Sequence, residues 1–307
     1  FVMSGRLKVQ IGENVEYLSE GDSIYYNSST PHGMIAVDGR DCLFVAVVLP
    51  GEDIKENVIR ETIVSAHSGN KEYVSSKFVE CTEAENGALQ KIEFKNEDKF
   101  NFAFDIVDEI AKKDPEKLAM LHIDKNKVER RFTFNDMKRA SNQCANYFKS
   151  LGIKKGDRVM LVLKRHYQFW YAILALHKLG AVAIPATNLL QEHDFDYRFN
   201  AAEVSAIVCT ADGDVAHQVD LAEPASPTLK TKILVGGERE GWHNFDEEFP
   251  LFSAHFYRTE DTACGDDLML MFFTSGTTGY PKIAAHNYKY ALGHYVTAKY
   301  WHGVDEN

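Results

Sequence analysis

Residues Thr274 to Lys282 read Thr-Ser-Gly-Thr-Thr-Gly-Tyr-Pro-Lys: four hydroxyl side chains and two glycines in six positions, then a lysine three residues on. This set suits an anion with many oxygens. Glycine lets the backbone approach closely, successive N–H groups and hydroxyls donate hydrogen bonds, and lysine adds a mobile positive charge. A polyphosphate whose geometry changes during reaction is the ligand such a loop fits. Thr274, Ser275, Gly276, Thr277, Thr278 and Gly279 are the expected phosphate-binding residues, and Lys282 is the expected catalytic cation. The loop is not a Walker A motif, which needs G-x-x-x-x-G-K-[ST], because Gly279 is followed by Tyr-Pro-Lys-Ile. A plain Ser/Thr/Gly surface turn is disfavoured by the apolar run Leu268 to Phe273 that leads straight into it.

Such a loop needs a framework, and the preceding pattern supplies one. Phe104, Val107, Ile110 and Ala111 recur at helical spacing, and Asp114-Pro115 stops that helix. Thr133 and Asp136 have capping-box spacing ahead of Met137, Ala140, Cys144, Tyr147 and Leu151, with Gly152 as the stop. Arg158 to Leu163 reads as a buried strand and His166 to Leu179 as a helix closed by Gly180. Ala181 to Pro185, Ala206 to Cys209 and Lys232 to Val235 read as further strands. Strands alternating with helices of this length predict an α/β, mostly parallel, doubly wound sheet. Trp170 and Tyr171 lie in a helical apolar stripe and are expected in the core; Lys164-Arg165 is expected to be a solvated strand end rather than a ligand clamp.

The first 50 residues follow another pattern. Turn signals at Ser4-Gly5, Gly12-Glu13-Asn14, Gly21-Asp22, Pro31-His32-Gly33 and Asp38-Gly39 separate short apolar runs, which predicts an all-β barrel or sandwich. Leu7, Val9 and Ile11 alternate with Lys8 and Gln10, and Cys42 to Leu49 reads as a strand buried on both faces. Residues 51–98 lose periodicity and turn to Glu, Lys, Asn and Ser, as in a connector with one or two short elements; a solvated linker is the simpler reading than a docking surface.

With 34 Lys and Arg against 45 Asp and Glu, the net charge of −11 excludes a general attraction to nucleic acid or anionic lipid. Any nucleotide site must therefore make its positive potential locally. Five cysteines, widely spaced and without a C-x-x-C pair, point to a reduced, cytoplasmic protein. No apolar run approaches the ~18–20 residues of a membrane span. At 307 residues the chain has room for about two domains.

The stretch Thr274 to Lys282 meets in full the signature [ST]-[ST]-G-[ST]-T-G-x-P-K, and here the chain resembles the AMP-forming adenylating superfamily. Phe100-Asn101-Phe102-Ala103-Phe104-Asp105, Gly156-Asp157-Arg158-Val159, Leu163-Lys164-Arg165 with Gln168-Phe169-Trp170, Leu179 to Thr187 and Gly241-Trp242-His243 are similar to its acetyl- and medium-chain acyl-CoA synthetase branch. The resemblance covers residues 99–307 and implies the front of an adenylating-enzyme N-terminal domain. It implies ATP, Mg²⁺ and coenzyme A: a carboxylate attacks the α-phosphate to give acyl-adenylate and pyrophosphate, and a thiol then captures the acyl group. It also places His286 near the acyl pocket, although a packed histidine on the outgoing strand is an equal reading. Further motifs of the superfamily are not found after His286, so residues 1–307 alone are expected to make no acyl-CoA.

Gly21-Asp22-Ser23-Ile24-Tyr25-Tyr26 followed by Pro31-His32 resembles the second motif of cupin barrels, particularly the sensor domains of helix-turn-helix regulators. The implied fold is the C-terminal part of a cupin-like barrel over residues 1–50, with His32 in the place of a metal ligand. One imidazole cannot hold a metal alone, so a hydrogen-bonded barrel histidine is the other reading. The chain lacks an initiator Met at Phe1, and the expectation is a piece of a longer protein. The leading reading is an acyl-CoA synthetase fused to a cupin. The alternatives are a cupin-type ligand-sensing transcriptional regulator with a fused synthetase-like domain, and another adenylating ligase sharing the loop. Against DNA contact, residues 1–95 carry 9 basic and 15 acidic groups and no basic recognition helix.

Overall fold

The computed structural model describes residues 1–24, 31–38, 42–44, 73–274 and 279–304. It divides into two units, Phe1–Lys71 and Glu72–Asn307.

In the first unit, β1 (Val2–Ser4), β2 (Arg6–Ile11), β3 (Asn14–Ser19), β4 (His32–Ala36) and β5 (Leu43–Phe44) are short and antiparallel. They form a three-stranded sheet in the order β3-β2-β4 and a separate β1-β5 pair. The expected alternation on β2 holds: Leu7 and Val9 are buried with Val2, while Ile11, Leu18 and Cys42 pack against them. The run from Cys42 is not buried on both faces where it is described. Leu43 is 59% and Phe44 37% exposed. Among the described strands β5 pairs only with β1, and a two-stranded ribbon has no second layer to cover its other face. Residues 45–49 of that run lie outside the described residues.

The second unit opens within residues 51–98, the stretch expected to be a connector with one or two short elements, and short elements are found there. A hairpin of β6 (Val79–Glu83) and β7 (Leu89–Phe94) places Phe78 and Val79 in a small core with Phe100 and Leu292. A second hairpin, β8 (Leu118–Ile123) with β9 (Glu129–Thr133), leads into the helix Phe134–Ser150. That helix starts as its sequence dictates. The Thr133 hydroxyl accepts from the Asp136 N–H at 3.1 Å and the Asp136 carboxylate accepts from the Thr133 N–H at 2.9 Å. At its end Gly152 takes φ +84°, and the Ile153 and Gly152 N–H groups close back on the Phe148 and Lys149 carbonyls. The helix expected from Phe104 begins as a π-turn, Ala103–Asp108, and continues as Glu109–Lys113.

The central sheet comprises β10 (Arg158–Val162), β11 (Val182–Pro185), β12 (Val204–Thr210), β13 (Thr231–Val235), β14 (His243–Asn244), β15 (Leu268–Thr274) and β16 (Lys282–Asn287). Their spatial order is β14-β13-β12-β10-β11-β15-β16, parallel throughout except for the antiparallel β15–β16 pair. Period-two side chains feed two layers. Val159 and Leu161 join the helices Phe134–Ser150 and Gln168–Leu179, whereas Met160 and Val162 join Glu192–Ala201 and Val215–Ala222 on the opposite face. This is the doubly wound arrangement expected from the alternation of elements. Within Gln168–Leu179, Tyr171 is in the core, but Trp170 is 50% exposed. Successive helical residues point ~100° apart, so the two cannot share one face.

Candidate nucleotide-binding site

The start of the expected phosphate-binding stretch, Thr274, lies at the carboxyl end of β15, the edge where open α/β sheets place their ligands. β15 ends at Thr274 and β16 starts at Lys282, and the two residues face each other across the antiparallel ladder. The Thr274 hydroxyl donates to the Lys282 carbonyl at 3.2 Å, closing the base of the loop. Both side chains are exposed and available to a ligand. Gly279 is exposed at φ +88°, a left-handed conformation that glycine adopts without steric penalty. Ser275, Gly276, Thr277 and Thr278 lie outside the described residues.

His286 sits further along β16, opposite Leu270. It shares a face with Lys282, four residues or roughly 13 Å along the strand, so it stands apart from the loop base. Its ring lies 5.8 Å from that of Phe272 and 4.1 Å from that of Tyr290, inside an aromatic row. Lys164 and Arg165 are exposed at the carboxyl end of β10, as a solvated strand end requires. His32 is the exposed first residue of β4 in the other unit. Among the described residues no group of three or more His, Cys, Asp or Glu side chains is arranged to hold a metal ion.

Two residues with no sequence signal for this role touch the stems of the loop, Tyr197 both of them and Arg198 the Phe273 side. Tyr197, on the helix Glu192–Ala201, donates its hydroxyl to the Pro281 carbonyl at 2.8 Å. Its ring stacks on Tyr280 at 4.5 Å and meets Phe273 edge-on at 6.2 Å. The Arg198 guanidinium lies over Phe273 at 5.3 Å and is itself held by the Asp194 carboxylate at 3.0 Å. A second polar group lies at the same edge of the sheet. His166, after β10, bonds the Thr210 hydroxyl at 2.7 Å, and burial holds its pKa below the ordinary value.

The family model described as AMP-binding enzyme matches residues 107–306. The chain belongs to the AMP-binding enzyme family. A cupin domain model matches residues 1–48. Acyl-coenzyme A synthetase ACSM3, mitochondrial, of Pongo abelii is 33% identical over 214 residues, covering 66% of this chain and 35% of the relative. Acyl-coenzyme A synthetase ACSM5, mitochondrial, of Mus musculus is 34% identical over 216 residues, covering 68% and 37%. The chain thus spans little more than a third of these relatives. Among solved structures, an anthranilate CoA ligase, AuaEII, in complex with anthranoyl-AMP aligns with a TM-score of 0.56 at 23% identity, over 66% of this chain and 37% of that one. A Mycobacterium tuberculosis fatty acyl CoA synthetase aligns at 0.55 and 22%, over 67% and 38%. These two show the α/β fold of the AMP-binding part, and the cupin model marks a β unit ahead of it.

Among the described residues no helix is long and apolar enough to cross a membrane. All five cysteines are free.

Proposed function

We propose that the protein carrying this chain is an AMP-forming acyl-CoA synthetase and that residues 99–307 supply the front of its ATP site. The observation that carries this reading is the β15–β16 pair, which frames the Thr274–Lys282 signature at the carboxyl edge of the sheet in a chain of the AMP-binding family. A carboxylate oxygen attacks the α-phosphorus of ATP, forming acyl-AMP and releasing pyrophosphate; the sulfur of coenzyme A then attacks the acyl carbon and releases AMP. The loop N–H groups and the hydroxyls of Thr274, Ser275, Thr277 and Thr278 hold the β- and γ-phosphates, Gly276 and Gly279 allow the close approach, and Lys282 follows the charge that develops on the leaving pyrophosphate. Mg²⁺, when bound, neutralises phosphate charge and is held largely by the phosphate oxygens themselves.

The acid is of the short- or medium-chain class, with His286 beside the acyl group. The similarity to the two mitochondrial acyl-coenzyme A synthetases supports that class. Residues 1–50 form a cupin-like module and residues 51–98 the connector; the cupin match over residues 1–48 supports that division. His32 as a divalent-metal ligand needs partners beyond those described. A cytoplasmic site is supported by five free cysteines and is checked by fractionation.

The test is pyrophosphate release by the native-length protein over a panel of carboxylic acids. An acid-dependent signal that falls about 100-fold in Lys282→Met is expected, the scale of losing one electrostatic contact to the transition state. A sensor that binds ATP without turnover gives no pyrophosphate with any acid, and that result overturns the reading in favour of the regulator.

A further inference from the structure

The residue before Lys282 is gripped from outside the loop. Tyr197 bonds the Pro281 carbonyl and stacks on Tyr280, a ring otherwise 73% exposed. We propose that Tyr197 is the positioning residue of the phosphate loop and acts by aiming Lys282. This rests on the nucleotide-site reading above.

The Pro281–Lys282 peptide is planar, so a hydrogen bond to the Pro281 carbonyl also fixes the N–H of Lys282 and the axis from which its side chain departs. The Pro281 ring already fixes its own φ, which leaves ψ as the rotation that the Tyr197 bond restrains. One position upstream, the stacked rings hold Tyr280 against swinging about the left-handed Gly279. The same helix secures the other stem through the contacts of Tyr197 and Arg198 with Phe273. One helix thereby contacts both stems of the loop.

Tyr197 is only half-buried, and its helix is anchored to the core by Phe195 and Phe199 instead. Its hydroxyl is therefore placed for orientation rather than for holding the fold.

Acid-dependent ATP–pyrophosphate exchange by the native-length protein tests this. Tyr197→Phe keeps the stacked ring and removes the hydrogen bond; it should lower kcat/KM for ATP about tenfold, the value of one such bond, with an unchanged melting temperature. Tyr197→Ala removes both contacts and should lose more. In a Lys282→Met background Tyr197→Phe should have no further effect, because the residue acts through that lysine. Exchange within twofold of wild type in Tyr197→Phe overturns the proposal, as does a tenfold loss that persists without Lys282. If the wild type shows no acid-dependent exchange at all, the nucleotide-site reading itself fails, a result distinct from either of these.

Discussion

Lys178 is the severest test of how the second unit is held together. Its side chain is fully buried and paired with an Asp108 only 13% exposed. The ammonium donates to Asp108 Oδ1 at 2.8 Å, Ser141 Oγ at 2.9 Å and Asn142 Oδ1 at 2.7 Å, joining three helical segments at one point. Burial pushes the Lys178 pKa down and the Asp108 pKa up, so the interior disfavours both charges despite their pairing. Removing one partner leaves an uncompensated buried charge, about 3–5 kcal/mol. Removing both in the double variant Asp108→Leu/Lys178→Met leaves chiefly the Asn142 acceptor without its donor, about 1–3 kcal/mol. Lys178→Met alone should therefore lower the melting temperature by roughly 6–20 °C, from about 3–5 kcal/mol at ~2–4 °C per kcal/mol for a unit of this size. The double variant should recover about half of that loss, roughly 2 kcal/mol. Acid should narrow the gap between Lys178→Met and wild type. Asp108 without its cation has a still higher pKa when folded, so the folded variant takes up its proton first and gains stability as pH falls. Thermal and urea unfolding of both single variants and the double variant provide the measurement. Losses under about 1 kcal/mol for Lys178→Met, or a double variant as unstable as the sum of the singles, would refute the reasoning.

Three further outcomes can be checked by the same unfolding measurements. Thr133→Ala breaks the capping box of the Phe134–Ser150 helix and should lose about 1 kcal/mol. Gly180→Ala should lose at least about 1–2 kcal/mol, because Gly180 holds φ +83° and a Cβ there would meet Ala263 Cβ and Lys155 Cγ at 3.0 Å. His177 is buried with both ring nitrogens unpartnered, and burial lowers its pKa from 6.5 to about 4. The unfolded chain then binds the proton more readily, so about 3 kcal/mol of stability should drain away as pH falls from 6.5 towards 4, and His177→Phe should flatten that slope.

The parts legible in the sequence were those written locally. Thr133 with Asp136, Gly152 and Gly180 punctuate helices because caps are made by residues three to five apart. The apolar runs at Arg158, Ala206 and Leu268 mark strands because buried parallel strands need apolar side chains on both faces. The helix Glu192–Ala201 is hard to see in the sequence, since only Phe195 and Phe199 are buried and Glu, His, Asp, Arg and Asn make up most of the rest. Its contribution to the site was hidden more deeply, because Tyr197 meets Pro281 across 84 positions of chain. In residues 51–98 the sequence indicates one or two short elements but not that they pair as the β6–β7 hairpin: Val79, Cys81 and Ile92 lie among exposed polar and charged residues, and a strand with one wet face in a charged stretch resembles a linker until its partner is in place.

The antiparallel turn from β15 to β16 also explains the composition of the loop. In a Walker A site the phosphate lies against a helix N-terminus, and the helix contributes about half a positive charge. Here a strand follows at Lys282, so the residue after the loop brings no helix dipole. On the proposed reading, in a chain of net charge −11, the attraction for a polyphosphate comes from donors within the loop and from Lys282. This accounts for four hydroxyls in six positions, and it makes the direction of Lys282 matter more than it would beside a helix. A lysine at the start of an edge strand is free on its solvent side, so aiming it requires a contact from a neighbouring element. The helix Glu192–Ala201, packed under β15 through Phe273, is the element in reach, which is why a tyrosine there rather than a residue of the loop itself takes hold of Pro281.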